Sequence, residues 1–479
     1  MLIDEEYFKS EEFRELLDSY EATVEQDMTP FLDVEDLVDI ADYYSWQGDP
    51  ESADEAVDYA LDLYPLATLP NVFKAREALL DRDFKNAHRW LEAIQDHDDP
   101  DYHYLYAEIL IAEGHVDKAD RYLRDYGRTV PPDEYEDFIR DCANLYIDYG
   151  VSDKAYEWMM RSRADESDDF KELMARTLYG MGRYKDSERL FNELIEQHPY
   201  SKHYWNALAA TQMMNEDYPN AITSSEYAIA IDPNDLGALS QKAEGLFRLY
   251  NYDEALKYFR RYSELAPDDE YGLLYQGYCL LSLNRNEEAL SIFRQAQVVA
   301  PNDSPYRSQI LQELALCYGM LHQLKQALEE LDKTDALDCD HTEMLVVRGH
   351  VLLLNDKWEE SQEAFKQAII KSKNSPKMML RIVSSLYDNR YVKASYEMLL
   401  TLFDIVDKYY PDYKAGNAYM ALCCYDLKRD EEFLKYLRLA VEKNPREAQG
   451  LLSFLFPAGM PVTDYVSYME QRLSAQNPS

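Results

Sequence analysis

The sequence predicts an all-α protein built as a repeat of helical hairpins, and three observations carry that expectation. Glycine is scarce, 15 in 479 residues, which disfavours the tight-turned β architectures that depend on it. Pro199, Pro233, Pro267 and Pro301 recur every 34 residues, closing the similar phrases NELIEQHP, YAIAIDP, RRYSELAP and AQVVAP. A pair of small residues, twelve apart, runs through the chain well beyond the prolines. A fixed period of this length marks a stacked array rather than unrelated domains.

Residues 1–33 read as one or two leading helices. The pairs then follow in order: Ala41 with Ala53, Ala75 with Ala87, Ala107 with Ala119, Ala143 with Ala155, Ala175 with Ser187, and Ala209 with Ala221. Six more continue the series, namely Ala243 with Ala255, Gly277 with Ala289, Ala315 with Ala327, Gly349 with Ser361, Ile382 with Ala394, and Ala421 with Phe433. Around each pair apolar residues recur at helical spacing, as in Tyr252, Ala255, Leu256 and Phe259, so each unit reads as two amphipathic helices. The small residues fall where two antiparallel helices approach most closely.

Gly48, Gly114, Gly150 and Gly182 lie seven residues after the first small residue, where the first helix needs a left-handed cap; Asn284 and Asn389 take that role later. Each proline stops the second helix and orients the next. Residues 447–479, with VTDYVSYMEQRL, read as a closing helix, since a solenoid needs capped ends.

These residues resemble the tetratricopeptide repeats, whose 34-residue pattern places aromatic, Leu, Gly/Ala, Tyr, Ala, Phe, Ala and Pro at fixed positions. The unit from Lys202 shows Trp205, Leu208, Ala209, Tyr218, Ala221, Ala228 and Pro233; the unit from Glu270 shows Gly277, Ala289, Phe293, Ala296 and Pro301. About twelve such units are expected, in residues 34–301 (units one to eight) and 302–446 (units nine to twelve). The resemblance implies a right-handed superhelical solenoid that binds a protein or peptide in its concave groove.

Composition narrows the function. The apolar fraction of 46% can bury a core, and 49 basic against 91 acidic residues give a net charge of −42, so nucleic acid and anionic membrane surfaces are poor partners. No window approaches the about 18 apolar residues of a membrane span, so no membrane insertion is expected. The acidic start MLIDEEYFKS lacks the basic n-region of a secretory signal, and the scattered Cys142, Cys279, Cys317, Cys339, Cys423 and Cys424 do not form a disulfide framework; a cytoplasmic protein with reduced cysteines is expected.

No phosphate loop, nucleophile elbow or zinc-binding helix motif occurs, and the short ends leave no room for a separate catalytic domain. We expect no catalytic residues, metal or cofactor. The only Gly-x-Gly, at Gly180 and Gly182, reads as a cap. Asp96, His97, Asp98, Asp99, Asp101 and His103 form the densest set of potential metal ligands, yet read better as an inter-repeat loop opening a helix. Cys339 with His341 makes no zinc site. A carboxylate clamp beginning at Arg140 and Asn144 fails, because Leu173 and Ala207 follow where Asn and a cation belong.

In this family the groove is lined from about the second, fifth, ninth and twelfth places of each unit. In the first half those places hold Glu35, Asp42, Arg76, Asp101, Glu108, Arg140, Asn144, Glu172, Arg176 and His203, a charged lining. Later they hold Tyr271, Leu274, Tyr278, Leu281, Leu316, Val346, His350, Leu353 and Leu386, which we take as the partner-binding set. Tyrosine offers a groove a large rigid face and a hydroxyl. Either a partner or the chain itself should cover this lining.

Residues 1–73 carry 21 acids against Lys9 and Arg14, a net −19 that would steer a basic partner. The expected function is a non-catalytic scaffold for a protein or peptide that is basic or bears an apolar helical segment. The alternative is a small-ligand sensor or enzyme with its site inside the superhelix, favoured if polar groups converge in one pocket.

Overall fold

Aspartate and serine side chains set the starts of many of the helices. Asp33 accepts a hydrogen bond from the Asp36 amide, Ser167 from Phe170, Ser201 from Tyr204 and Asp235 from Ala238, each satisfying an amide that the first turn leaves free. The computed structural model describes residues 5–8, 10–25, 32–162 and 167–476, and parts of the expected leading cap lie outside them. Among the described residues the regular structure is entirely helical.

The chain divides into two compact units, Met1–Pro233 and Asn234–Ser479. In the first, α1 (Glu5–Phe8) and α2 (Glu11–Glu25) precede six helix pairs. These are α3 (Val34–Gln47) with α4 (Pro50–Leu63), α5 (Thr68–Leu80) with α6 (Phe84–Ala93), and α7 (Pro100–Ala112) with α8 (Val116–Tyr126). Then come α9 (Tyr135–Asp148) with α10 (Ser152–Met159), α11 (Asp168–Gly180) with α12 (Tyr184–Gln197), and α13 (Lys202–Met214) with α14 (Tyr218–Ile231).

The second unit holds α15 (Leu236–Arg248) with α16 (Tyr252–Leu265), α17 (Glu270–Ser282) with α18 (Asn286–Val299), and α19 (Arg307–Met320) with α20 (Leu324–Lys333). It continues with α21 (His341–Leu354) and α22 (Trp358–Lys371), α23 (Pro376–Asp388) and α24 (Val392–Tyr409), and α25 (Asn417–Asp426) and α26 (Asp430–Lys443). Two further helices close it, α27 (Pro445–Leu452) and α28 (Tyr465–Gln476). The partners of each pair pack on one another, and within the second unit the first helices α19, α21, α23 and α25 also pack successively side by side. This is an all-α repeat solenoid.

The turns follow the expected chemistry. Gly48, Gly114, Gly150 and Gly182 all have φ between +69° and +81°, and Asn284 has φ +58°. Elsewhere the same place is held by Arg82, Glu216, Tyr250, His322, Asp356 and Lys428, all with positive φ. The four periodic prolines each lie two residues beyond the end of α12, α14, α16 or α18.

One unit is displaced from its expected register. In the hairpin α23–α24 the left-handed residue is Arg390 (φ +67°), whereas Asn389 has φ −88°. Counting back seven residues places Val383 and Ser395, not Ile382 and Ala394, at the close approach. Ser395 is fully buried and its hydroxyl donates to the Val383 carbonyl at 3.2 Å, as Ser187 does to Ala175 at 2.8 Å; Ala394 is only half-buried. Phe433, in place of a small residue, joins a core with Leu437, Ala440, Tyr465 and Met469. The closing helix α28 therefore packs on α26, and the short α27 is an element the repeat pattern does not announce.

Candidate partner-binding surface

The nine residues expected to bind a partner separate by burial. Tyr271, Tyr278, Leu281, Leu316 and His350 are half-buried on α17, α19 and α21. Leu274, Val346, Leu353 and Leu386 are buried, and the last three share a core with Phe365, Ala368 and Ile382. The register shift moves Leu386 from the twelfth place of its unit to the eleventh. Leu274, Val346 and Leu353 keep their register, and are covered by packing around them.

Three tyrosines on α17 form one stripe at spacings of four and three. The rings of Tyr271 and Tyr275 lie 4.7 Å apart, those of Tyr275 and Tyr278 5.7 Å apart, and Tyr306 extends the row at 6.0 Å from Tyr271. Several half-buried tyrosines of this chain hand their hydroxyl to a carboxylate, as Tyr104 does to Asp141 at 2.9 Å and Tyr387 to Asp426 at 2.8 Å. The hydroxyls of Tyr271, Tyr275 and Tyr278 make no hydrogen bond among the described residues.

Beside this stripe stands Glu313 on α19, only 9% exposed. Burial pushes its carboxyl up to about 7, partly offset by the positive charge of Arg381 on α23. Arg381 itself donates through Nε to Glu343 at 2.9 Å. Burial also raises the Tyr278 phenol, with the Glu313 charge adding to it. His350 lies 2.9 Å from the Ser385 hydroxyl and 3.3 Å from the Asn389 amide, and burial lowers its pKa, so it is neutral near pH 7. The lining is thus aromatic with embedded polar groups, rather than uniformly apolar. Tyr275 and Glu313 both hold the sixth place of their units, which the groove positions taken from the resemblance omit; the signal available was the i, i+4, i+7 stripe from the second place to the ninth.

The charged lining of the first unit is organised differently. A cleft of about 300 Å³ is bordered by Arg76, Asp101, Tyr104, Asp141, Asn144 and Arg176, among others. Arg76 pairs with Glu108 at 2.9 Å, Arg176 approaches Asp148 at 3.6 Å, and His203 lies 2.9 Å from Glu172. Burial, together with the charge of Asp39, lifts Asp42 to about 6 against the opposing pull of Arg76. These charges largely answer one another.

The acidic and histidine-rich loop is structural in its contacts. Asp99 caps α7 through the Asp101 amide, His97 stacks on Tyr102 at 4.5 Å, and His103 stacks on Tyr126 at 3.7 Å while lying 2.6 Å from the Tyr122 hydroxyl. Among the described residues no group of three His, Cys, Asp or Glu side chains could hold a metal ion, and no helix is long and apolar enough to cross a membrane.

The model of the tetratricopeptide repeat matches residues 173–235 and 241–305. Those two segments are tetratricopeptide repeats. The match supports a protein-interaction scaffold in general terms. No curated protein matches it. Similar solved structures include MamA 41-end from Desulfovibrio magneticus RS-1, 16% identical over 37% of this chain and 97% of that one, with a TM-score of 0.34. YrrB, described as a TPR protein with an unusual peptide-binding site, is 18% identical over 40% of this chain and 95% of its own, with a TM-score of 0.33. TTC0263, a thermophilic TPR protein in Thermus thermophilus, is 21% identical over 39% and 100%, with a TM-score of 0.31.

Proposed function

We propose that the chain is a non-catalytic scaffold that binds a protein or peptide segment on the first-helix face of the unit Asn234–Ser479. Tyr271, Tyr278, Leu281 and Leu316 are the contact residues; Leu274, Val346, Leu353 and Leu386 support them from beneath. The observation that carries this reading is the tyrosine stripe, half-buried, with hydroxyls that have no partner among the described residues. Such side chains offer a segment apolar area at low entropic cost and a row of groups able to hydrogen-bond its backbone. The closing helix packs on α26, so the chain's own end has a different berth.

A small-ligand or enzymatic reading would draw on the cleft of the first unit. Its guanidinium groups already face carboxylates, which favours the scaffold. The test is selection of phage-displayed random peptides on the full chain, followed by binding to Tyr278→Ala and Leu316→Ala variants of preserved helicity. Truncating an anchor should weaken binding by about 2 kcal/mol or more. Undiminished binding by both folded variants would move the site elsewhere.

A further inference from the structure

Glu313 is a carboxylate without an answering group. It is 9% exposed, and it forms no hydrogen bond or ion pair among the described residues. The cation whose charge acts on it, Arg381, is engaged by Glu343. The remaining groups that sense its charge are the phenol of Tyr278 on α17 and the thiol of Cys317, one turn along α19. A buried charge in such a position is costly unless something pairs with it. Arg381 and Glu343 answer one another and His350 is neutral, so among these groups Glu313 is the exception.

We infer that the peptide-binding face carries a specific subsite for a cationic side chain, lysine or arginine, of the bound segment, with Glu313 as its counter-charge and the ring of Tyr278 as its wall. This deepens the scaffold reading above and rests on it. The chemistry favours a side-chain cation over a metal ion, because one carboxylate and a phenol fall short of the six to eight oxygen ligands that a hard cation typically takes. An aromatic face beside a carboxylate instead suits an ammonium or guanidinium group, which gains from both the ring quadrupole and the ion pair. Apolar side chains on either side of the cation would lie along Tyr271, Leu281 and Leu316. The ligand is thus a segment with one basic residue among apolar ones, rather than a uniformly basic tail.

The experiment uses peptides selected from the random phage library on the full chain. The strongest is synthesised as selected and with norleucine in place of its recurrent basic residue, and both are titrated against wild type, Glu313→Gln and Tyr278→Ala. We expect wild-type selections to share a lysine or arginine at one position. Glu313→Gln should weaken the basic peptide by about tenfold or more while leaving the norleucine peptide unchanged, the signature of a direct pair. A lack of any recurrent basic residue, or equal affinity of the basic peptide for wild type and Glu313→Gln, while Tyr278→Ala still abolishes binding, would overturn the subsite and leave the scaffold reading standing. If no peptide is selected, the scaffold reading falls and the subsite falls with it; if Tyr278→Ala binds as wild type does, the subsite beside Tyr278 falls.

Discussion

Gly277 on α17 faces Phe293 on α18 so closely that a Cβ added at residue 277 would lie 2.3 Å from the ring. Gly349 stands in the same relation to Phe365, at 2.2 Å. Both glycines occupy the close approach of their hairpins, where other units carry alanine, and both face the ring of a buried phenylalanine. Absence of a side chain is therefore a packing requirement here, not a conformational one.

Gly277→Ala and Gly349→Ala should each destabilise the protein by about 1–3 kcal/mol through overpacking, against the helix propensity that alanine would otherwise add. Gly450 on α27 has open space around its Cβ position, and Gly450→Ala should be neutral or stabilising by up to about 1 kcal/mol. Urea unfolding followed by circular dichroism checks the contrast. Equal effects at all three sites would contradict it.

The register of α23–α24 gives a second test. A non-glycine residue with left-handed backbone carries strain of about 1–2 kcal/mol, so Arg390→Gly should be neutral or modestly stabilising. Asn389→Gly removes side-chain hydrogen bonds to the Ser385 carbonyl and to His350, and should lower the unfolding midpoint. The opposite ranking would restore Asn389 as the cap.

That hairpin also shows where the sequence stops being legible. The helix pairs, their turns and the prolines that end them follow from local chemistry, and local chemistry is written in the sequence. At α23 two adjacent frames both fit the local signals, since asparagine is a good left-handed residue and Ala394 is small. The left-handed backbone of Arg390 and the burial of Ser395 separate them. The candidate face was half legible for a related reason. Period and spacing identify which residues share a helix face, as they did for Tyr271, Tyr278 and Leu316. They do not report how tightly neighbouring units close over that face, which decides that Val346 and Leu353 are buried and that Glu313 has no partner.

Glu313 makes stability depend on pH in a definite direction. Its ordinary value of 4.5 rises to about 7 on folding, so between those values the folded chain holds more proton than the unfolded chain. The stability this group contributes is present below about 4.5 and is lost as pH rises through about 7. Glu313→Gln should therefore stabilise the protein at pH 8 by about 1–3 kcal/mol, and the gain should vanish near pH 4.5. Parallel denaturant titrations at the two pH values measure this; a gain independent of pH would show that the charge of Glu313 is not its source.

We propose that the tyrosine stripe of α17 contacts a bound segment. Titration calorimetry of one selected peptide against the wild-type chain and a folded Tyr278→Ala variant tests it most directly. An affinity at least about tenfold weaker is expected for the variant, with helicity and unfolding midpoint retained. Identical affinities in the two proteins would contradict it.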